Sequence, residues 1–157
     1  MSRTAVSTIA ALALLFSSSA VAIADPAAPQ VNTPCPASVA GAMTLAPDGK
    51  TPLVCRDQQW QASVNPFPPS DRWLSYGPAM GLHGEGLRNP SLRSGNWTAT
   101  PQESSSQCSA EQSAVVSPGV VGPPQTSEGK AGQPLSLQVV PRLFSIELSG
   151  YCLWAHD

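Results

Sequence analysis

The sequence predicts an all-β fold, a small antiparallel sandwich or barrel that is stapled by disulfides and has long loops rich in proline and glycine. Three observations support this prediction. The 157 residues include 17 Pro and 12 Gly, which interrupt helices. Four cysteines are spread widely along the chain. Apolar and polar residues alternate over residues 135–139 and 144–148, which is typical of half-buried strands.

The charge composition argues against nucleic acid as a partner. Charged residues make up 11% of the chain, whereas a typical domain has about 25%. Without Arg3, which lies in the predicted leader, 7 basic against 10 acidic side chains leave a net charge of −3. The basic residues are scattered singly, and binding to a phosphate backbone needs clusters of Lys and Arg.

The first 24 residues have the organisation of a signal peptide. One positive charge, Arg3, precedes an apolar stretch at residues 4–16, and Ala22-Ile23-Ala24 forms an A-x-A cleavage site. A transmembrane anchor is the alternative, because residues 4–24 are nearly as long as the about 20 apolar residues that span a bilayer. Three serines and the small residues before the cut favour cleavage after Ala24, which predicts a secreted or extracytoplasmic protein without a membrane anchor.

All four cysteines lie in the predicted exported part, where disulfides persist. A four-cysteine zinc site usually presents closely spaced pairs of ligands, and here no two cysteines are closer than 20 positions. Three pairings are possible, and sequence alone does not choose among them. We favour Cys35–Cys55 and Cys108–Cys152, because each then closes a loop within one section of the chain. Since Cys35 does not adjoin the cleavage site, we predict no lipid anchor.

The exported chain is predicted to begin with a flexible tether, residues 25–34, which is rich in Ala and Pro and has no periodicity. A single β domain, residues 35–157, is expected to follow. Its first section, residues 35–63, contains a turn signature and then a hairpin with Cys55 and Trp60 on its two arms.

The other two sections are a loop and the main sheet. Residues 64–94 are predicted to form one long loop, because prolines and glycines interrupt every period in this stretch. Residues 95–157 are expected to form the main sheet, with the hairpin section packed at its side. Strand patterns in this last section occur at residues 96–100, 114–116 and 120–121 around Pro118-Gly119, 135–139, 144–148 and 151–154.

Several of these stretches resemble small secreted proteins of actinobacteria. Gly95-Asn96-Trp97, followed by Cys108 and by Tyr151-Cys152-Leu153-Trp154, is similar to a G-x-[YW]…C…C-x-W arrangement in such proteins. Leu53-Val54-Cys55 with Trp60 resembles an L-V-C-x₃₋₄-W hairpin of exported proteins, and the leader looks like those of mycobacterial proteins. The resemblance implies a secreted, disulfide-bonded β-protein and carries over no activity.

His83 and Glu85 are the candidate catalytic residues, because a general base and a carboxylate lie close together in Gly81-Leu82-His83-Gly84-Glu85-Gly86. Such a pair needs a third group to orient it, and the alternative is a solvent-exposed loop histidine. The glycine order G-x-x-G-x-G is the reverse of a dinucleotide-binding fingerprint, so we predict no nucleotide cofactor.

Trp60, Trp73 and Tyr76 are the candidate binding residues. Exposed aromatic faces can stack on sugars or fill pockets of a partner. The alternative is that the tryptophans form the core beside the disulfides.

Two classes of function follow from the sequence. The first is a non-catalytic exported protein that acts by surface interaction with a protein or polysaccharide of the cell envelope or extracellular space. The second is a small extracytoplasmic hydrolase that uses His83 and Glu85. The small number of titratable residues favours the first class. We predict neither a metal nor a cofactor.

Overall fold

The computed structural model describes residues 26–64 and 69–157. The predicted leader, residues 1–24, and residues 65–68 of the predicted loop lie outside the described residues. Ten strands and one short 3₁₀ turn are present in the described part. The turn is Ala37–Val39, and the strands are β1 Met43–Leu45, β2 Pro52–Arg56, β3 Gln59–Ala62, β4 Arg72–Leu82, β5 Gly95–Pro101, β6 Ser109–Ser117, β7 Val120–Val121, β8 Gln125–Glu128, β9 Leu135–Val139 and β10 Leu143–His156.

The strands form one sheet in which β10 is the central element. The main path is β3-β2-β1-β4-β10-β5-β9, and β6 joins it through β10. One edge of β10 pairs with β4, while its other edge pairs first with β6 and then with β5. All pairs are antiparallel except β1 with β4. The all-β prediction is therefore confirmed, with a mixed sheet whose path ends at β3 and β9 and does not close into a barrel.

The hairpin and both disulfides agree with the sequence predictions. Cys55 of β2 lies directly opposite Trp60 of β3. Cys35 is bonded to Cys55, and Cys108 is bonded to Cys152. Each bridge thus closes a loop of its own, as the spacing favoured.

The prediction of one loop over residues 64–94 is wrong for residues 72–82, which form β4 and pair with β10 along most of its length. Proline and glycine usually destabilise a strand, so the sequence predicts a loop here. In β4 the destabilising effect of Pro78 is avoided. The register shifts between Leu148 and Gly150 of β10, and Pro78 lies at this bulge. A bulge leaves the backbone unpaired, so the missing N–H of a proline costs no ladder hydrogen bond.

The flexible tether predicted for residues 25–34 is also wrong where the chain is described. Pro29 is buried. The amide of Asn32 donates to the carbonyl of Trp60 over 2.8 Å, and Pro34 forms a β-bridge with Gln59. The segment covers the free edge of β3, which would otherwise present unpaired backbone groups.

The hairpin section does not pack beside a separate main sheet, because β1 pairs with β4 and makes the hairpin part of the same sheet. Two apolar clusters cover this sheet. The larger contains Trp73, Trp97 and Trp154 together with Cys108 and Cys152. The smaller is built around Trp60 and the Cys35–Cys55 bridge, and Leu74 and Leu153 pack in it from β4 and β10. Adjacent residues of these two strands therefore point into different clusters, as the alternation of a strand requires.

A buried glutamine of β6 bonds to the edge of β9 that has no neighbouring strand. Gln112 of β6 donates from Nε2 to the carbonyl of Gln138 over 2.9 Å, and its Oε1 accepts from the amide of Val140 over 3.1 Å. The side-chain amide thus replaces a neighbouring strand for β9. Because buried backbone groups are costly when unpaired, this contact satisfies the edge of β9 without closing the sheet.

Candidate functional site

His83 and Glu85 make hydrogen bonds to their own loop. The ring Nε2 of His83 lies 2.7 Å from the carbonyl oxygen of Asn89, so it donates, and Nδ1 accepts from Ser91 Oγ over 3.3 Å. Glu85 accepts from Ser94 Oγ over 2.6 Å. Within residues 69–157, no hydrogen bond joins His83 to Glu85. The arrangement orders the loop between β4 and β5.

The glycines around His83 are explained by packing. A Cβ at Gly84 would lie 2.6 Å from the Leu143 side chain, and one at Gly86 would lie 2.5 Å from the carbonyl oxygen of Arg142. The amide of Gly86 also donates to the carbonyl of Leu143 over 2.8 Å. The loop therefore packs directly against the start of β10, and only glycine allows this approach.

The tryptophans are buried, which contradicts the surface role predicted for two of them. Trp60 belongs to the smaller cluster and Trp73 to the larger one. Trp73 Nε1 donates to the carbonyl of Ser91 over 3.2 Å. Trp154 Nε1 donates to Ser75 Oγ over 2.9 Å, so its polar atom is also satisfied inside the protein. Because these faces are covered, they cannot stack on a ligand, and the alternative interpretation as core residues applies.

Tyr76 is the one predicted binding residue that reaches a surface cavity. A groove of about 220 Å³, the tyrosine groove, is lined by Tyr76, Pro78 and Met80 of β4, by Leu45 and by Ala28, among others. The Tyr76 hydroxyl donates to the carbonyl of Leu45 over 3.0 Å. Burial, with a smaller contribution from the charge of Asp48, raises the pKa of Tyr76. The Tyr76 hydroxyl therefore already donates its hydrogen to an acceptor within the protein.

The turn beside this groove is held by Asp48, and it supports a prediction about pH. The Thr51 hydroxyl and the Thr51 and Lys50 amides donate to its carboxylate and lower the Asp48 pKa to about 2. A lowered folded-state pKa stabilises the protein above the unfolded-state value of about 3.9, and this contribution is lost as pH falls towards 2. We expect the stability difference between wild type and Asp48→Asn to be constant above about pH 5 and to shrink between about pH 4 and 2.

Denaturant unfolding of both proteins at several pH values measures this difference, and a ¹³C NMR titration of the Asp48 carboxyl gives the pKa directly. A titration midpoint near 4, or a difference that does not change with pH, would contradict the hydrogen-bonded turn.

Most of the exposed large apolar side chains in the described residues cluster elsewhere, at the β6–β7 hairpin. We define the valine patch as Leu87, Val115, Val120, Val121 and Phe144, which surround a cavity of about 480 Å³ together with Gly86, Pro118 and Gly119. Leu87, Val120 and Val121 are 44%, 50% and 41% exposed. Val116, on the same hairpin, is 56% exposed. Exposed aliphatic residues that cluster in this way are typical of interaction sites.

The end of the β6–β7 hairpin extends past the pairing of β6 with β10. Pairing of β6 with β10 ends at Ala114, and from Val115 to Ser117 the strand pairs only with β7. A Pro118-Gly119 turn joins the two strands, and Gly119 has a φ of +75°. The valines are therefore carried on a short two-stranded extension.

Two arginines lie beside the valine patch. Arg88 follows Leu87 in the chain, and Arg142 accepts at its carbonyl from the amide of Val115 over 2.9 Å. Both arginines are exposed. In the described part of the chain the only ion pair joins Arg93 to Asp71, so neither Arg88 nor Arg142 forms a salt bridge there.

Sequence reasoning missed the valine patch, although a signal was present. Val115-Val116 and Val120-Val121 are consecutive apolar residues on both sides of a Pro-Gly turn. A half-buried strand alternates, so consecutive valines in a strand of two to three residues place apolar side chains on both faces. Taken from the sequence alone, the pattern predicts only that these residues form strands.

Neither a metal-binding cluster nor a membrane-spanning helix is found among residues 26–64 and 69–157. In these ranges no group of three or more His, Cys, Asp or Glu side chains could hold an ion. No helix described there is long and apolar enough to cross a bilayer. Comparisons with protein-family models, with curated proteins and with solved structures found no match.

Proposed function

We propose that this is an exported, non-catalytic protein that acts by surface interaction in the cell envelope or extracellular space, and that the valine patch is its contact surface. Export is supported by the signal-peptide pattern of residues 1–24 and by the resemblance of the leader to those of actinobacterial secreted proteins. The two disulfides are compatible with an oxidising compartment.

Binding is favoured over hydrolysis by how the two histidines are used. Both ring nitrogens of His83 have partners in its own loop. His156 packs edge-on against Trp97 with ring centroids 5.4 Å apart, and its Nε2 lies 3.3 Å from the carbonyl oxygen of Ser94. A general base must have a free nitrogen directed towards substrate, and these contacts occupy both ring nitrogens of His83 and Nε2 of His156.

The chemistry of the valine patch favours an apolar partner over a polysaccharide. Sugar recognition combines an aromatic platform with polar side chains that bond hydroxyl groups. The patch is lined by Val, Leu, Phe, Pro and Gly residues. The observation that carries the proposal is the concentration of exposed Leu87, Val120 and Val121 around one cavity.

The proposal is tested with the processed protein, residues 25–157, and isolated envelope from the cell that produces it. We expect Val120→Ser together with Val121→Ser to weaken binding by about tenfold, because two half-exposed valines lose their apolar contact. Val31 and Val64, which are 46% and 81% exposed away from the patch, provide a matched control, since Val31→Ser with Val64→Ser should leave binding unchanged.

Sedimentation binding isotherms measure the effect, and equal melting temperatures establish that both double variants are folded. Wild-type binding by the patch variant, or an equal loss in the control variant, would refute the patch as the contact surface. Intact mass of the exported protein tests the first half of the proposal, because a chain that begins at Asp25 is expected. Recovery only of chains that retain residues 1–24 would contradict export by cleavage.

A further inference from the structure

We infer that the partner of the valine patch is the surface of an anionic lipid bilayer, into which the tip of the β6–β7 hairpin inserts. This inference rests on the proposed function and specifies the class of its partner. Four features support it: the shape of the hairpin, its lack of charge, the arginines beside it and the absence of hydrogen-bonding side chains from the lining of the cavity.

The tip of the β6–β7 hairpin carries apolar side chains both within the cavity and outside it. Val115 and Val121 lie opposite each other in the β6–β7 ladder and line the cavity with Val120. Val116 lies at the register shift between Val115 and Ser117, and it does not line the cavity. Its Cγ1 would lie 2.9 Å from a Cβ at Gly122. A docked protein would cover one face and leave the other in water. A bilayer surrounds an inserted tip on every side.

The hairpin is uncharged over a length that matches this role. Residues 112–127 include no Asp, Glu, Lys or Arg, and Glu111 and Glu128 bound this stretch at the end near the body of the protein. Insertion of a charged side chain below the headgroups is costly. The tip at residues 115–121, which lies beyond the pairing of β6 with β10, can therefore enter the interface without that cost.

The arginines beside the patch lie where headgroups would meet the protein. Arg88 and Arg142 flank Leu87 and Val115, and both are exposed. The nearest acidic residue in the chain, Glu85, accepts from Ser94 Oγ. Apolar side chains with adjoining basic residues are the composition of interfacial membrane-binding surfaces, and the arginines complement anionic lipid.

A protein partner fits these observations less well. Protein interfaces carry about one hydrogen bond per 100–200 Å², and the patch offers only aliphatic, proline, glycine and phenylalanine surface. Insertion of a few apolar side chains combined with electrostatic attraction is sufficient for reversible membrane binding.

Vesicle flotation with residues 25–157 tests the inference, with vesicles of phosphatidylcholine alone and of phosphatidylcholine with phosphatidylglycerol. We expect the wild type to float with the anionic vesicles. Val120→Ser with Val121→Ser should reduce binding about tenfold, and Arg88→Gln with Arg142→Gln should reduce it about fivefold per arginine and only for anionic vesicles. The control Val31→Ser with Val64→Ser should bind as the wild type does.

A second measurement reports insertion directly. The native tryptophans are buried, so Val120→Trp introduces a single exposed indole whose emission should shift to shorter wavelength when anionic vesicles are added. No vesicle binding by the wild type, equal binding by the valine variant, or no shift at residue 120 would overturn the inference.

The failure of this inference can be distinguished from that of the proposed function. If envelope binding depends on Val120 and Val121 but is abolished by protease treatment of the envelope, and vesicles are not bound, the partner is a protein. That outcome overturns the lipid inference and leaves the proposed function standing. Envelope binding that does not depend on the valines would refute the proposed function itself.

Discussion

Replacing both Cys108 and Cys152 by alanine is expected to lower the melting temperature by about 12 °C. The bridge joins residues 44 positions apart, and in the chain-entropy model a loop of this length contributes about 4 kcal/mol. For a domain of this size, 1 kcal/mol corresponds to roughly 3 °C. Both cysteines are fully buried in the larger cluster, so the variant also loses packing beside Trp154.

The comparison with the other bridge gives this prediction its control. Cys35 and Cys55 are 20 positions apart, for which the same model gives about 3.3 kcal/mol. Hydrogen bonds from Asn32 and Cys35 to the β3 region continue to hold the segment when the bridge is absent. We therefore expect a smaller loss, of about 10 °C or less, from Cys35→Ala with Cys55→Ala.

Differential scanning calorimetry of both double variants under non-reducing conditions measures the two losses. A loss from the Cys35–Cys55 pair that equals or exceeds the other would show that the smaller cluster contributes as much to cooperative folding as the larger one. The larger loss expected for Cys108 and Cys152 does not come from fraying of the C-terminal end of β10. This end is held without the bridge, because β10 is paired with β4 and β5 up to its last residues.

The features that the sequence predicted correctly are those set by local pattern and by cysteine spacing. Leu135, Leu137 and Val139 alternate with polar residues and form β9, in which Leu137 and Val139 are buried. The Cys55–Trp60 hairpin is likewise a local structure. The alternation of apolar and polar residues and the residue types of a turn can be recognised within a few adjacent positions. These elements can therefore be predicted without knowledge of tertiary contacts.

The missed elements depend on contacts between distant parts of the chain. β4 contains Gly77, Pro78 and Gly81, which locally predict a loop. It is a strand because β10 supplies a partner and the register of the β4–β10 pair shifts at Pro78. Residues 26–34 have no period, and they are ordered by the edge of β3. Tertiary contacts override local preference in both cases.

The candidate site was poorly predictable for a related reason. An aromatic residue in a loop-like sequence can be either core or ligand platform, and burial decides between them. Trp73 is in the core because it belongs to β4, which the sequence did not predict. The valine patch depends on β6 extending past its partner β10, which is a property of strand lengths and not of composition.

Gly150→Ala is expected to lower the free energy of unfolding by about 3 kcal/mol, because two costs coincide at this position. Gly150 has a φ of +88°, in the left-handed region that residues with a Cβ rarely adopt. A Cβ there would also overlap the carbonyl oxygen of Gln107. Since the overlapping atom belongs to backbone, it cannot rotate away, and the 107–108 segment must shift.

The consequence of that shift is specific to one disulfide. Gln107 precedes Cys108, whose partner Cys152 lies two residues after Gly150, so close approach at Gly150 brings the two cysteines within bonding distance. Gly41→Ala is the matched control, because Gly41 has a φ of +77° and no atom within 4 Å of the added Cβ. It should cost only about 1 kcal/mol, from backbone strain alone.

Urea unfolding measures the two free energies, and thiol titration after oxidative refolding measures how completely Cys108 and Cys152 pair. We expect free thiol in Gly150→Ala and none in Gly41→Ala. Equal destabilisation by the two substitutions, with complete pairing in both, would mean that the backbone strain dominates and that the contact with Gln107 is not needed for the bridge. Because β10 is the strand that β4, β5 and β6 all share, a displacement at its bulge acts on the centre of the sheet.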